Sequence, residues 1–120
     1  MDPRIAHVIA FIETHVQSAL TVPRLAAHAG LSVSQLTRVF RRETGTTPTA
    51  YVNQLRLRRA RALIERTSLP VGEVMAQVGI SDPSHFARDF RRAYGFSPRL
   101  FREHLREAPF NDAESCAKTG

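Results

Sequence analysis

The sequence contains one cysteine, Cys116, which excludes a disulfide framework within the chain and suits a reducing compartment. Lysine is as scarce: sixteen of the 17 basic residues are arginine. No stretch approaches the roughly 18 consecutive apolar residues of a membrane-spanning helix. No run alternates apolar and polar residues as a half-buried strand does. The opening MDPRIAHVIAF puts an acid before the first base and has no cleavage site, so it is not expected to act as a signal peptide. Paired carboxylates, a Gly-rich phosphate loop, a nucleophile elbow and a metal-spaced Cys/His cluster are all missing, which argues against an enzyme. His7 and His15 lie eight residues apart with no third ligand beside them, and with His28 they read as helix-surface histidines. Neither a cofactor nor a metal is expected.

What is present is positive charge, unevenly placed. The net charge is +6. Residues 1–106 carry all sixteen arginines against eight acids, and the last fourteen residues are net acidic. Arginine's planar fork matches phosphates and base edges better than an ammonium does, although GC-rich coding also favours it, so pattern must decide.

The chain is organised around TPTAYVNQLRLRRARALIER, residues 47–66. Thr47 is placed to cap a helix and Pro48 sits at its first position, where a missing N–H costs nothing. Tyr51, Val52, Leu55, Leu57, Ala60, Ala62, Leu63 and Ile64 spread over more than half the circumference, leaving Gln54, Arg58, Arg61 and Glu65 as a polar strip. A helix this apolar must be covered on more than one side. Arg56, Arg59 and Arg66 fall inside the apolar arc and are expected to pair with Glu43, Glu73 or Asp89. Arg58 and Arg61 point outward.

What covers that helix is a duplication. LTVPRLAAHAGLS, residues 20–32, aligns with LPVGEVMAQVGIS, residues 69–81; LTRVFRRETGTTPTAY, residues 36–51, aligns with FARDFRRAYGFSPRLF, residues 86–101. Each copy predicts a short helix, a Gly-containing turn and a longer helix, the helix-turn-helix arrangement. In the first, Thr21 caps a helix over 22–29, Gly30 turns, Ser32 and Gln35 form a capping box, and Gly45 ends the second helix. In the second, Gly79 turns, Asp82 caps, Pro83 opens the helix and Gly95 ends it. Pro70 stands where Thr21 stood and Gly72 lies in the first turn, so that helix is expected to depend on tertiary packing. An opening helix runs from Asp2/Pro3 to about Gln17, with Ile5, Val8, Ile9, Ile12 and Val16 at helical spacing. A last helix, capped by Ser97, runs from Pro98 to about Glu107, with Leu100, Phe101 and Leu105 packing it onto the second unit. Residues 108–120 have no period and read as a disordered tail.

The longer helix of each copy is two-faced. In 33–44, Leu36, Val39 and Phe40 point one way, with Val33 at the edge, and Ser34, Thr37, Arg38, Arg41 and Arg42 the other. In 83–94, Phe86 and Phe90 point in, Ser84, Ala87, Arg88, Arg91 and Arg92 point out, and His85 flanks them. Asp89 replaces Val39 and is placed to pair with an arginine. A solvated basic face is common on one helix; the same face twice, each behind a helix-turn entry, points to double-stranded DNA. The N-terminal half of such a helix meets base edges in the major groove. Ser34, Thr37, Arg38, Ser84, His85 and Arg88 are therefore the candidate base readers, with both arginines suited to a guanine. Arg41, Arg42, Arg91 and Arg92, a turn later, are the candidate phosphate contacts. A monomer carrying two such helices about 34 Å apart on one side would reach successive major grooves of an asymmetric site.

Over about residues 5–105 the sequence resembles the DNA-binding domain of the AraC/XylS family of bacterial transcription regulators. The most specific stretch is ARALIERTSLPVGEVMAQVGISDPSHFARDFRRAYGFSPRLFR. The resemblance implies an all-α fold of seven helices, two helix-turn-helix units (about 4–45 and 69–107) joined by a long linker helix at 47–66. It also implies a cytoplasmic, nucleoid-associated protein that activates transcription through contacts with RNA polymerase. By matching position the family's base-reading places fall on Ser34, Thr37 and Arg38, and on Pro83, Ser84, His85, Ala87 and Arg88. Pro83 and Ala87 cannot hydrogen-bond through their side chains, which leaves readout by the second unit to Arg88 and His85. Most members carry an N-terminal effector or dimerisation domain, and these 120 residues contain none. The competing reading is a protein-interaction module that contacts RNA polymerase or another regulator through acids such as Glu13, Glu43 and Glu103, with DNA binding secondary.

Overall fold

The protein is described by a computed structural model over residues 1–107; the expected tail at 108–120, with Cys116, lies outside the described residues. Seven helices follow in order: α1 (Pro3–Thr14), α2 (Val22–Ala29), α3 (Val33–Thr44), α4 (Pro48–Arg66), α5 (Val71–Val78), α6 (Pro83–Tyr94) and α7 (Pro98–Glu107). No strand occurs among the described residues.

The helix starts are set by side chains that accept otherwise orphaned N–H groups. Asp2, Thr21, Ser32, Thr47 and Asp82 each cap the helix that follows, and Ser97 Oγ accepts from Leu100 N–H at 3.2 Å. Each such cap contributes about 1 kcal/mol. The α5 start, at Pro70, has no side-chain cap, and the helix is held instead by burying Val74, Met75 and Val78. The α1 helix stops at Thr14 rather than continuing to Gln17. The Thr14 hydroxyl donates to the Ala10 and Phe11 carbonyls, and the chain leaves helical geometry at His15. Val16 remains buried all the same.

Two separate cores explain the wide apolar arc of α4. Val52 and Leu55 belong to the first core, with Ile5, Val8 and Ile12 of α1, Leu25 of α2, and Leu36, Val39 and Phe40 of α3. Ala60 and Ile64 belong to the second, with Val74 and Val78 of α5, Phe86 and Phe90 of α6, and Phe101 of α7. By helical geometry the two α4 pairs are rotated by about 130° from each other. The helix is therefore covered on different sides at different heights. Leu100, expected to help seat α7, is 52% exposed; Phe101 and Leu105 do that packing. Arg61, on the outward strip, pairs with Glu65 at 3.0 Å and lies over the Tyr94 ring, 4.7 Å from its centroid.

In each unit an arginine on the closing helix reaches back to the loop that enters the helix-turn-helix. Arg56 of α4 donates Nε–H to the Val16 carbonyl at 3.2 Å and Nη2–H to the Ser18 carbonyl at 2.7 Å. Arg102 of α7 donates to the Leu69 and Thr67 carbonyls. The expected pairing of Arg56 with an acid is thus corrected. Its partners are carbonyls, and burial alone pushes its pKa down from the ordinary arginine value. Arg59 and Arg66 likewise make no ion pair with Glu43, Glu73 or Asp89 among the described residues.

Candidate nucleic-acid interface

The first cationic face is built on α3. Ser32 and Gln35 close the expected capping box reciprocally, each bond 3.1 Å. Burial of Leu36, Val39 and Phe40 fixes how the helix is rolled. That roll leaves Ser34, Arg38, Arg41 and Arg42 exposed and Thr37 half-buried beside them; Val33, at the arc's edge, is 45% exposed. Arg42 has company: its guanidinium lies 3.5 Å from Glu43 Oε2 and 3.9 Å from Asp2 Oδ2. The Glu43 carboxylate also accepts the Asp2 N–H at 2.9 Å, so it serves the fold and is not the exposed acid that the interaction-module reading requires. Asp2, in turn, is bonded by the Arg4 guanidinium and backbone N–H, which together hold its carboxyl down at about 2.

The second face, on α6, has the same roll for the same reason. Phe86 and Phe90 are buried, in edge-to-face contact with ring centroids 5.7 Å apart. Ser84, His85, Arg88, Arg91 and Arg92 are exposed, and Ala87 is half-buried between them. Arg88, Arg91 and Arg92 line one shallow groove of about 450 Å³ with Ala87 and Ser97. Ser97 was expected only as a cap, and its place beside three arginines carries no signature in the sequence.

The two faces differ in one respect. Arg38 makes no hydrogen bond or ion pair among the described residues, whereas Arg88 donates Nη2–H to His85 Nδ1 at 2.9 Å. His85 Nε2 lies 3.1 Å from Asp89 Oδ2, and Arg92 comes within 4.0 Å of the same carboxylate. The expected Asp89–arginine pairing is therefore weak, and the main partner of Asp89 is histidine. The His85/Asp89 spacing of four was visible in the sequence and could have signalled it.

None of the expected reading residues lines the groove of about 710 Å³ that opens between the α1–α2 loop, α4 and α5. The histidines of the first unit lie elsewhere as well. His7 and His28 stack with centroids 4.5 Å apart, and Phe11 stacks on His28 and His15. Among the described residues no group of three potential ligands could hold a metal ion. No helix there is long and apolar enough to cross a membrane.

Comparison with known proteins agrees with this geometry. Residues 25–104 match a family described as a helix-turn-helix domain. The chain is 37% identical over 102 residues to the transcriptional activator RhaS of Escherichia fergusonii, covering 85% of this chain and 37% of that protein. It thus spans little more than a third of the curated relatives it matches. Among solved structures, it resembles the DNA-binding domain of AdpA, a global transcriptional factor, in complex with a target DNA. That likeness has a TM-score of 0.82 and 32% identity, over 87% of this chain and 94% of that one. A transcriptional regulator with an AraC-type DNA-binding domain from Chromobacterium violaceum matches with a TM-score of 0.77 and 30% identity, over 89% and 95% of the two chains.

Proposed function

Because the chain belongs to the AraC family of helix-turn-helix DNA-binding domains, which are transcription-factor modules and not enzymes, we propose that it reads a two-part site on double-stranded DNA as a monomer. In this reading α3 and α6 enter successive major grooves. Arg38 and Arg88 each address a guanine, with Ser34, Thr37, Ser84 and His85 reading neighbouring base edges or phosphates. Arg41, Arg42, Arg91 and Arg92 hold phosphates where each helix leaves its groove.

The observation that carries the proposal is the matched pair of exposed arginine faces, each rolled outward by aromatic anchors in its own core. The long dimension of the molecule, 49 Å, leaves room for two readers about one helical turn of DNA, roughly 34 Å, apart. The residues at matching positions of the two helices differ (Thr37 against Ala87, Gln35 against His85), so the site is asymmetric rather than palindromic. By analogy with RhaS, named as a transcriptional activator, the chain serves transcription activation; the family resemblance adds RNA polymerase as its protein partner and the bacterial nucleoid in the cytoplasm as its place.

Selection from random duplexes at fixed salt tests the proposal. A two-part site with unlike halves should emerge, and Arg38→Ala and Arg88→Ala should each relax one half. Absence of any enriched two-part site would refute it.

A further inference from the structure

The second reading helix carries a hydrogen-bonded chain that the first lacks. Arginine has no acceptor atom, so the contact of Arg88 Nη2 with His85 Nδ1 requires that nitrogen to be unprotonated. The ring proton then sits on Nε2, where it is donated to Asp89 Oδ2, 3.1 Å away. In α3 the matching positions hold Gln35, whose side chain is used in the capping box, and Val39, which is buried in the first core.

Resting on the base-reading role proposed for Arg88, we infer that Asp89 is a positioning residue for DNA specificity. It fixes the His85 tautomer, and His85 in turn holds the Arg88 guanidinium ready for its guanine. Nη2 has two hydrogens, so one can stay on His85 while the other meets a base edge. The second half-site is thus read by a pre-set arginine and the first by a free one, which must lose its rotamer freedom on binding.

The test uses the 120-residue chain with Asp89→Val, which copies the first unit, and Asp89→Asn, which keeps an acceptor oxygen. Base discrimination in the second half should fall about three- to tenfold in Asp89→Val. Discrimination in the first half should stay unchanged, and Asp89→Asn should discriminate in the second half much as the parent does. Nitrogen-15 spectra of the parent should show His85 as the Nε2–H tautomer, a readout that does not depend on the variants folding. An Nδ1–H tautomer, or full second-half discrimination in Asp89→Val, overturns the inference. If Arg88→Ala itself leaves the second half unchanged, the base-reading assignment of Arg88 falls first.

Discussion

Gly79 lies so close to the Val16 carbonyl that a Cβ added to it would overlap the oxygen, and would also crowd Gln17 Cα and Arg56 Nη2 at 3.1 and 3.2 Å. The turn of the second helix-turn-helix is thereby seated on the entry loop of the first. Gly30, at the matching position, is left-handed too, with φ 71° against 80°, but has open space around it. Gly30→Ala should therefore cost only the left-handed penalty, about 1 kcal/mol. Gly79→Ala should cost about 1–3 kcal/mol more, because the two units must also separate. Urea denaturation of the two variants side by side measures the difference.

Arg56 completes the same joint. Removing it leaves the Val16 and Ser18 carbonyls without their charged donor, so Arg56→Ala should destabilise by about 1.5–3 kcal/mol. The effect should reach DNA as well. With the joint loosened, selected sites should show a spread of spacings between the halves, whereas the parent selects one. An unchanged single spacing would show that α4 alone fixes the separation.

The duplication made the architecture readable because caps, turn glycines and apolar spacing are local signals. Thr21, Ser32, Thr47 and Asp82 cap where their side chains lead one to expect. The roll of α3 and α6 follows from where Leu36, Phe40, Phe86 and Phe90 fall. The joint between the units was not readable. Arg56 sat in the apolar arc, which suggested an acid partner, but its partners are backbone carbonyls, and every residue has one. Gly30 and Gly79 look alike until the fold brings Val16 to only one of them. Leu100 was misplaced because one apolar residue at the end of a short amphipathic helix does not reveal how far the core extends. In the site, the exposed arginines were predictable from their helix faces, whereas the restraint on Arg88 depends on rotamers.

Asp2 gives the first unit a stability that depends on acid. Hydrogen bonds from the Arg4 side chain and backbone, aided by the Arg4 and Arg42 charges, lower its pKa from 3.8 to about 2. A carboxyl depressed by folding stabilises fully above its unfolded value, and that contribution is lost as pH falls toward the folded one. Asp2→Asn keeps a capping oxygen and removes the charge. The parent should therefore be the more stable near neutral pH, and the gap should close between pH 3.8 and about 2. Urea midpoints of the pair, taken across that window, check the sign.

Arg38 and Arg41 lie three residues apart on one exposed face, yet they should fail differently. Arg38 sits in the half of α3 proposed to face base edges. Arg38→Ala should thus cost about 1–3 kcal/mol on the preferred sequence and little on an unrelated duplex. Arg41 sits a turn later, in the part of the helix proposed to hold a phosphate. Arg41→Ala should weaken every sequence alike and flatten the dependence of log K on log salt by about 0.9, the release of one phosphate's counterions. Titrating both variants against preferred and scrambled duplexes at several salt concentrations separates the roles. A changed salt slope with intact preference in Arg38→Ala would reverse the assignment and place the deepest part of the groove one turn further along α3.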